Sequence, residues 1–245
     1  MRTTGFGLSH VGRVRQRNED ALFIDPQGRF ALLADGMGGH RGGQEASRMA
    51  IDLVQVSLER AFEVGFPAEE TGARVLLRTA FKEAARQVAE RGRAVPELEN
   101  MGTTLVSWTV SEGTVTVAHV GDSRAYLLRQ GQLFQITMDH VLTNEQIRLG
   151  MEREQAERVP MGHVLVRNIG VVPPSEPDIV RFDARAGDRW LLCSDGLSNK
   201  LLHADILHLL NRYEHRPAEA TKALVEEAWH RGGEDNITAV LLDML

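Results

Sequence analysis

The chain has 245 residues, of which 42% are hydrophobic and 25% charged, and its formal net charge is −6. These values are typical of a water-soluble globular protein and argue against nucleic-acid binding, which requires a basic surface. The single cysteine, the absence of a signal-like N-terminus and the lack of an apolar run of about 18 residues predict a cytoplasmic protein without membrane insertion.

Short apolar runs separated by turn residues predict most of the chain to form β-strands. The predicted strands cover residues 21–24, 30–34, 104–110, 114–120, 124–129, 132–136, 163–169, 178–182, 189–194 and 236–242. Most of the loops between neighbouring runs are short. Such short loops favour antiparallel hairpins, because parallel strands need long crossover connections.

Segments with apolar residues at three-to-four spacing interrupt these strands. They predict helices over about 44–62 and 73–91, and a further helix over about 217–231 that starts at a proline. Adjacent strands with helices inserted between them predict an α+β fold, a central antiparallel β-sandwich flanked by α-helices. No linker or repeat divides the chain, so we predict one domain over residues 1–245.

Aspartates stand where several of the predicted strands begin or end. They are Asp20, Asp35, Asp122, Asp195 and Asp235. Any one Asp-Gly pair is typical of a hairpin turn. Carboxylates gathered at one place, however, repel one another unless a cation neutralises them. Oxygen ligands without a cysteine pair or an HExxH motif suit Mg²⁺ or Mn²⁺ better than Zn²⁺.

The glycine-rich segment 36–43 raises the alternative of a nucleotide-binding loop. A P-loop would need lysine where Gln44 stands, and a dinucleotide fingerprint would need glycine where Arg41 stands. A cysteine-phosphatase motif is excluded because Asn199 occupies the position of its arginine. The segment is therefore interpreted through its aspartate.

A series of motifs along almost the whole chain resembles the bacterial PPM-type (protein phosphatase 2C) serine/threonine phosphatases. The motifs are GRVRQRNED (12–20), DGMGGH (35–40), MGTT (101–104), HVGDSRAY (119–126), MDH (138–140), SDGL (194–197) and EDNITAV (234–240). The resemblance implies the family's helix-flanked β-sandwich. It also implies metal-dependent hydrolysis of phosphoserine and phosphothreonine in proteins by a hydroxide shared between two metal ions, opposing a serine/threonine kinase.

The same resemblance implies the metal ligands. Asp35 would bridge two Mn²⁺ or Mg²⁺ ions, the carbonyl of Gly36 would bind one of them, and Asp195 and Asp235 would bind the other. Asp122 would contribute to a possible third site.

The resemblance also implies the catalytic residues. Arg15 would bind the substrate phosphate, His40 would protonate the leaving oxygen, and Asp20 would hold water in the site. Arg13 and Arg17 are interpreted as solvated surface charges, and the histidines at 119, 140 and 163 as structural.

Residues 140–170 correspond to the variable flap of the family and depart from its usual sequence. Two alternatives remain open at this point: a catalytically weak binding module with the same fold, and a phosphatase of small phosphorylated metabolites.

Overall fold

Two antiparallel β-sheets face each other in the computed structural model, which describes residues 2–38, 42–67, 69–170 and 174–245. The strands are β1 (Thr3–His10), β2 (Asp20–Ile24), β3 (Phe30–Met37), β4 (Gly102–Thr103), β5 (Leu105–Ser111), β6 (Thr114–Val120), β7 (Arg124–Arg129), β8 (Gln132–Gln135), β9 (Asp178–Asp183), β10 (Arg189–Cys193) and β11 (Ile237–Met244). One sheet has the order β1-β11-β10-β7-β8. The other has the order β2-β3-β5-β6-β9, with β4 paired to β3.

Helices cover the outer faces of both sheets. The described residues form the helices α1 (Gly42–Val64), α2 (Glu70–Ala94), α3 (Leu142–Arg148), α4 (Arg153–Ala156), α5 (Asp195–Ser198), α6 (His203–Arg212) and α7 (Pro217–His230), with a 3-10 turn at Pro96–Leu98. Helix α1 packs on β3, while α7 packs on β11 and β1 of the other sheet. This arrangement confirms the predicted α+β sandwich. Among the helices of the described ranges, none combines the length and apolar character that a membrane span requires.

Strand β3 shows why an uninterrupted apolar run marks a central strand. Phe30 and Leu32 point into the core beneath α1 and α2, whereas Ala31 and Leu33 point into the core between the sheets. Since successive side chains of a strand face opposite sides, a strand covered on both faces must be apolar throughout. Asp35 follows directly after this buried apolar run, where β3 emerges from the core.

The structure corrects some of the predicted elements. The predicted strand 163–169 is wrong, because this segment forms only isolated bridges, Thr103 with Ile169 and Val141 with Leu165. Its alternating apolar pattern does not reflect burial, since Val164 and Val166 are exposed. Strand β1 was missed because its glycines break the apolar pattern, and the short helix α6 was missed as well.

Glycine in β1 has a packing reason. A Cβ at Gly5 would lie 2.7 Å from Leu242 Cδ2 of the neighbouring strand β11 and 3.2 Å from Ile24 of β2. The absent side chain lets the leucine of the adjacent strand occupy this space. The same property removes the hydrophobic signal by which a strand is recognised in a sequence.

Candidate active site

The ends of several strands meet at a pocket of about 410 Å³. The residues that line it are Arg15, Glu19, Asp35, Gly36, Met37, Gly38, Thr104, Asp122, Leu165, Asp195 and Asp235. Asp20 lies directly behind, since its Cα pairs with that of Asp35 across β2 and β3. The structure thus brings together the five aspartates singled out in the sequence.

Asp35 is held in place through its own backbone. Its N–H donates to Thr104 Oγ1 at 2.9 Å, and its carbonyl accepts from Thr104 N–H at 2.9 Å and Thr103 Oγ1 at 2.8 Å. These contacts leave the Asp35 carboxylate free to face the pocket. They also explain why an MGTT segment accompanies the aspartate.

Gly36 occupies a position that only glycine fits. A Cβ there would lie 2.1 Å from the carbonyl oxygen of Gly43 and 2.5 Å from that of Glu19. The first turn of α1 and the residue before β2 therefore approach β3 closely at Gly36. In this role Gly36 and Gly43 allow close backbone contact rather than nucleotide binding.

A hydrogen-bond relay fixes the orientation of Asp20. Its Oδ2 accepts from Ser194 Oγ at 2.9 Å and Thr238 Oγ1 at 2.6 Å. Because Thr238 gives its proton to Asp20, its oxygen must accept from Ser9 Oγ at 2.6 Å, and Ser9 accepts from Asn18 Nδ2 at 2.7 Å. The other carboxylate oxygen, Asp20 Oδ1, is buried without a partner in the described structure.

Asp235 binds Arg15, an arginine that also lines the pocket. Arg15 Nη2 donates to Asp235 Oδ2 at 2.7 Å, and the backbone N–H of Asn236 donates to Asp235 Oδ1 at 2.8 Å. The Asn236 side chain donates to the Val11 carbonyl and accepts from the Glu19 N–H. Asn236 therefore ties the loop that contains Arg15 to the start of β11.

The carboxylates of the pocket share an unfavourable electrostatic environment. Burial, followed by the charges of neighbouring aspartates, raises the pKa of Asp35 well above its usual value. Burial also raises the pKa of Asp20 to about 6, although its hydroxyl partners oppose the rise. Burial and the charge of Asp195 raise the pKa of Asp122 to about 7. A bound cation would offset the burial and mutual repulsion of these negative charges.

The donor set fits a hard divalent cation. Asp35, Asp122, Asp195 and Asp235 offer carboxylate oxygens to one pocket, and the unpartnered Asp20 Oδ1 supplies a further acceptor beside it. Oxygen-only sites of this kind favour Mg²⁺ or Mn²⁺ over softer metals.

A second group of metal-capable side chains lies apart from these acids. Ligand atoms of His119, His140 and Asp178 lie within 4.8 Å of one another. Arg167 Nη1 already donates to Asp178 Oδ1 at 2.9 Å, and Gly121 N–H donates to His140 Nδ1 at 3.1 Å. The latter bond leaves the proton of neutral His140 on Nε2, which faces Asp178 Oδ2 at 3.2 Å. We interpret the group as a hydrogen-bonded ion pair at the base of the flap.

The remaining predicted residues have different outcomes. His40 lies outside the described residues. The Arg13 guanidinium stacks on Trp229, 4.9 Å from the ring centroid, and Arg17 lines a neighbouring groove rather than the pocket. Sequence reasoning missed Leu165, which reaches the pocket from the flap. No pattern in the sequence distinguishes this leucine from its neighbours.

Comparison with known proteins finds a matching family profile and similar relatives. The family profile described as protein phosphatase 2C matches residues 6–245. The serine/threonine phosphatase stp of Listeria monocytogenes (strain EGD-e) is 35% identical over 236 residues, covering 95% of this chain and 92% of the relative.

Solved structures agree with this placement. The serine/threonine phosphatase of S. agalactiae superposes with a TM-score of 0.87 at 32% identity, covering 99% of this chain and 100% of that one. The catalytic domain of the serine/threonine protein phosphatase PstP, in complex with two manganese ions, gives a TM-score of 0.83 at 34% identity, covering 99% and 98%. The resemblance seen in the motifs is confirmed, and the chain belongs to the protein phosphatase 2C family.

Proposed function

We propose that this protein is a metal-dependent phosphatase that hydrolyses phosphoserine and phosphothreonine in proteins. The observation that carries the proposal is the convergence of Asp35, Asp122, Asp195 and Asp235 with Arg15 in one pocket. The relatives of the chain support it, because they are named as serine/threonine phosphatases.

Two Mn²⁺ or Mg²⁺ ions would be held by Asp35, the Gly36 carbonyl, Asp195 and Asp235, and Asp122 would contribute to a third ion. A pair of divalent cations, when bound, lowers the pKa of water and offsets the negative charge of a phosphoryl group. The two manganese ions in the PstP structure support this stoichiometry.

The chain's own residues would bind the substrate and move protons. The guanidinium of Arg15 can hold two phosphate oxygens at once, and its present contact with Asp235 places it at the pocket. Asp20 would accept a hydrogen bond from water through Oδ1, because Oδ2 is already engaged. His40 is proposed as the general acid that protonates the leaving serine or threonine oxygen.

The proposal also covers the domain organisation, the substrates and the cellular location. We propose that residues 1–245 act as one catalytic domain with a flap at about 140–170, since a core shared by both sheets lies at its centre. The substrates would be phosphoproteins of a cognate serine/threonine kinase in the cytoplasm. The buried free thiol of Cys193 is compatible with a reducing compartment.

The test is turnover of phosphothreonine peptides with Mn²⁺ and with a chelator. We expect activity only with the metal, and its loss in Asp35→Asn but not in Glu226→Gln, an exposed acid on α7. Folded wild-type protein without Mn²⁺-dependent turnover would instead support a binding module. A higher kcat/KM on phosphorylated metabolites than on phosphopeptides would support the metabolite alternative.

A further inference from the structure

A second groove adjoins the acidic pocket. It has a volume of about 700 Å³, larger than the pocket itself, and Met37 lines both. The end of α2, the loop that follows it and the base of the flap form its walls, which include Arg93, Glu99, Met101 and Asn168. The groove therefore borders the place where we put the phosphorylated residue.

Close backbone contacts define the floor of this groove. A Cβ at Gly102 would lie 3.0 Å from Met37 Cε and 3.1 Å from Asn168 Oδ1. Gly170 has φ +124, and a Cβ there would lie 2.6 Å from the Met101 carbonyl oxygen. Because both glycines allow this approach, β3, β4 and the flap base meet in well-defined contacts beneath the groove.

Arg93 differs from the other basic residues of α2. All the others form ion pairs with glutamates; they are Arg74, Arg78, Lys82, Arg86 and Arg91. Arg93 is exposed at the groove, and within residues 2–38, 42–67, 69–170 and 174–245 its side chain has neither an ion pair nor a hydrogen bond. A basic residue in the last turn of a helix is stabilised by the helix dipole, which explains the positive charge of Arg93. The helix dipole does not explain why Arg93 lines a groove beside the active site.

A protein substrate has to place its phosphorylated side chain in the acidic pocket while its backbone continues outside. An extended chain advances about 3.3–3.6 Å per residue, so side chains near the phosphorylated residue come to lie in an adjoining groove. Met37 offers an apolar side chain that adapts to different neighbours. Asn168 offers an amide that can pair with a peptide backbone.

We propose that this groove binds the segment flanking the phosphorylated residue of a protein substrate, and that Arg93 selects an acidic side chain in that segment. The proposal rests on the phosphatase function proposed above. Glu99, which lines the same groove, repels a second acid and so helps to set the direction in which the segment lies.

The test uses phosphothreonine peptides that differ only by one aspartate or lysine, placed at each flanking position in turn. Each kcat/KM is divided by the value of the same variant with p-nitrophenyl phosphate, which is too small to occupy the groove. At one position we expect wild-type protein to prefer aspartate over lysine by about 2- to 5-fold, as for an exposed ion pair. Arg93→Glu should reverse the preference at that position.

Lys222→Glu is the matched control, because it makes the same charge change on the exposed side of α7, which covers the other sheet. It should keep the wild-type preference. An Arg93→Glu protein with the wild-type preference, or a control that shifts equally, would overturn the inference. Wild-type protein that fails to hydrolyse p-nitrophenyl phosphate with Mn²⁺ would instead contradict the proposed phosphatase function.

Discussion

The acidic pocket leads us to expect that Asp35→Asn abolishes activity and yet stabilises the metal-free protein. Without cations the charges of Asp20 and Asp195 act on the buried carboxylate of Asp35, and both raise its pKa. An asparagine amide removes one charge and can donate a hydrogen bond to either neighbour.

The expected increase in the free energy of unfolding follows from the link between pKa values and stability. A carboxyl group whose pKa is higher in the folded than in the unfolded protein destabilises the fold at neutral pH, by about 1.4 kcal/mol for each pKa unit. Burial, and after it the charges of Asp20 and Asp195, raise the pKa of Asp35 well above its usual value. Because asparagine removes the charge on which both causes act, we expect Asp35→Asn to recover about 1–3 kcal/mol. For a chain of this size each kcal/mol raises Tm by about 2–4 °C.

The assay is thermal unfolding in the presence of a chelator. Asp139→Asn is the control, since the Asp139 carboxylate accepts three hydrogen bonds from Arg124, at 2.9, 3.2 and 2.7 Å. The loss of its charge should cost about 1–3 kcal/mol. The same chemical change is thus expected to have opposite signs at the two positions. An Asp35→Asn protein that is less stable than wild type in chelator would refute the account of a repelling acid cluster.

Further predictions concern the same site. Asp20, with a pKa of about 6, and Asp122, with a pKa of about 7, take up protons in the folded protein at a higher pH than in the unfolded chain. Metal-free protein should therefore become more stable in urea unfolding as the pH falls from 7 to 5, and falling stability would contradict this. Thr238→Val removes a hydroxyl that donates to Asp20 and should lower kcat/KM roughly tenfold, whereas Thr238→Ser should retain most of it; equal rates for the two would argue against the relay. Arg15→Ala should lower kcat/KM on phosphopeptides roughly 10- to 100-fold, and unchanged kinetics would exclude phosphate binding by Arg15.

The parts of the fold that the sequence predicts are those with local signals. The run 30–34 is apolar throughout because β3 is covered on both faces, and it was predicted correctly. Strand β1 carries Gly5 and Gly7, whose purpose is visible only once Leu242 and Leu22 lie against them. The 163–169 segment alternates like a strand but has no continuous neighbour, a property that no local pattern reveals.

In the site, too, some features have a local signal in the sequence and others depend on tertiary contacts. Acids at strand ends are visible in the sequence, and the fold brings them together at one edge of the sandwich. The relay from Ser9 through Thr238 to Asp20 joins residues from opposite ends of the chain, so its existence depends on the pairing of β1 with β11. The groove beside Arg93 likewise depends on how α2 and the flap meet.

The most direct test of the central claim is a crystal structure of the protein soaked in Mn²⁺, with anomalous diffraction recorded at the manganese absorption edge. We predict two strong anomalous peaks in the acidic pocket, in contact with Asp35, the Gly36 carbonyl, Asp195 and Asp235. Manganese found only at His119, His140 and Asp178, or nowhere in the acidic pocket of well-ordered crystals, would contradict the account.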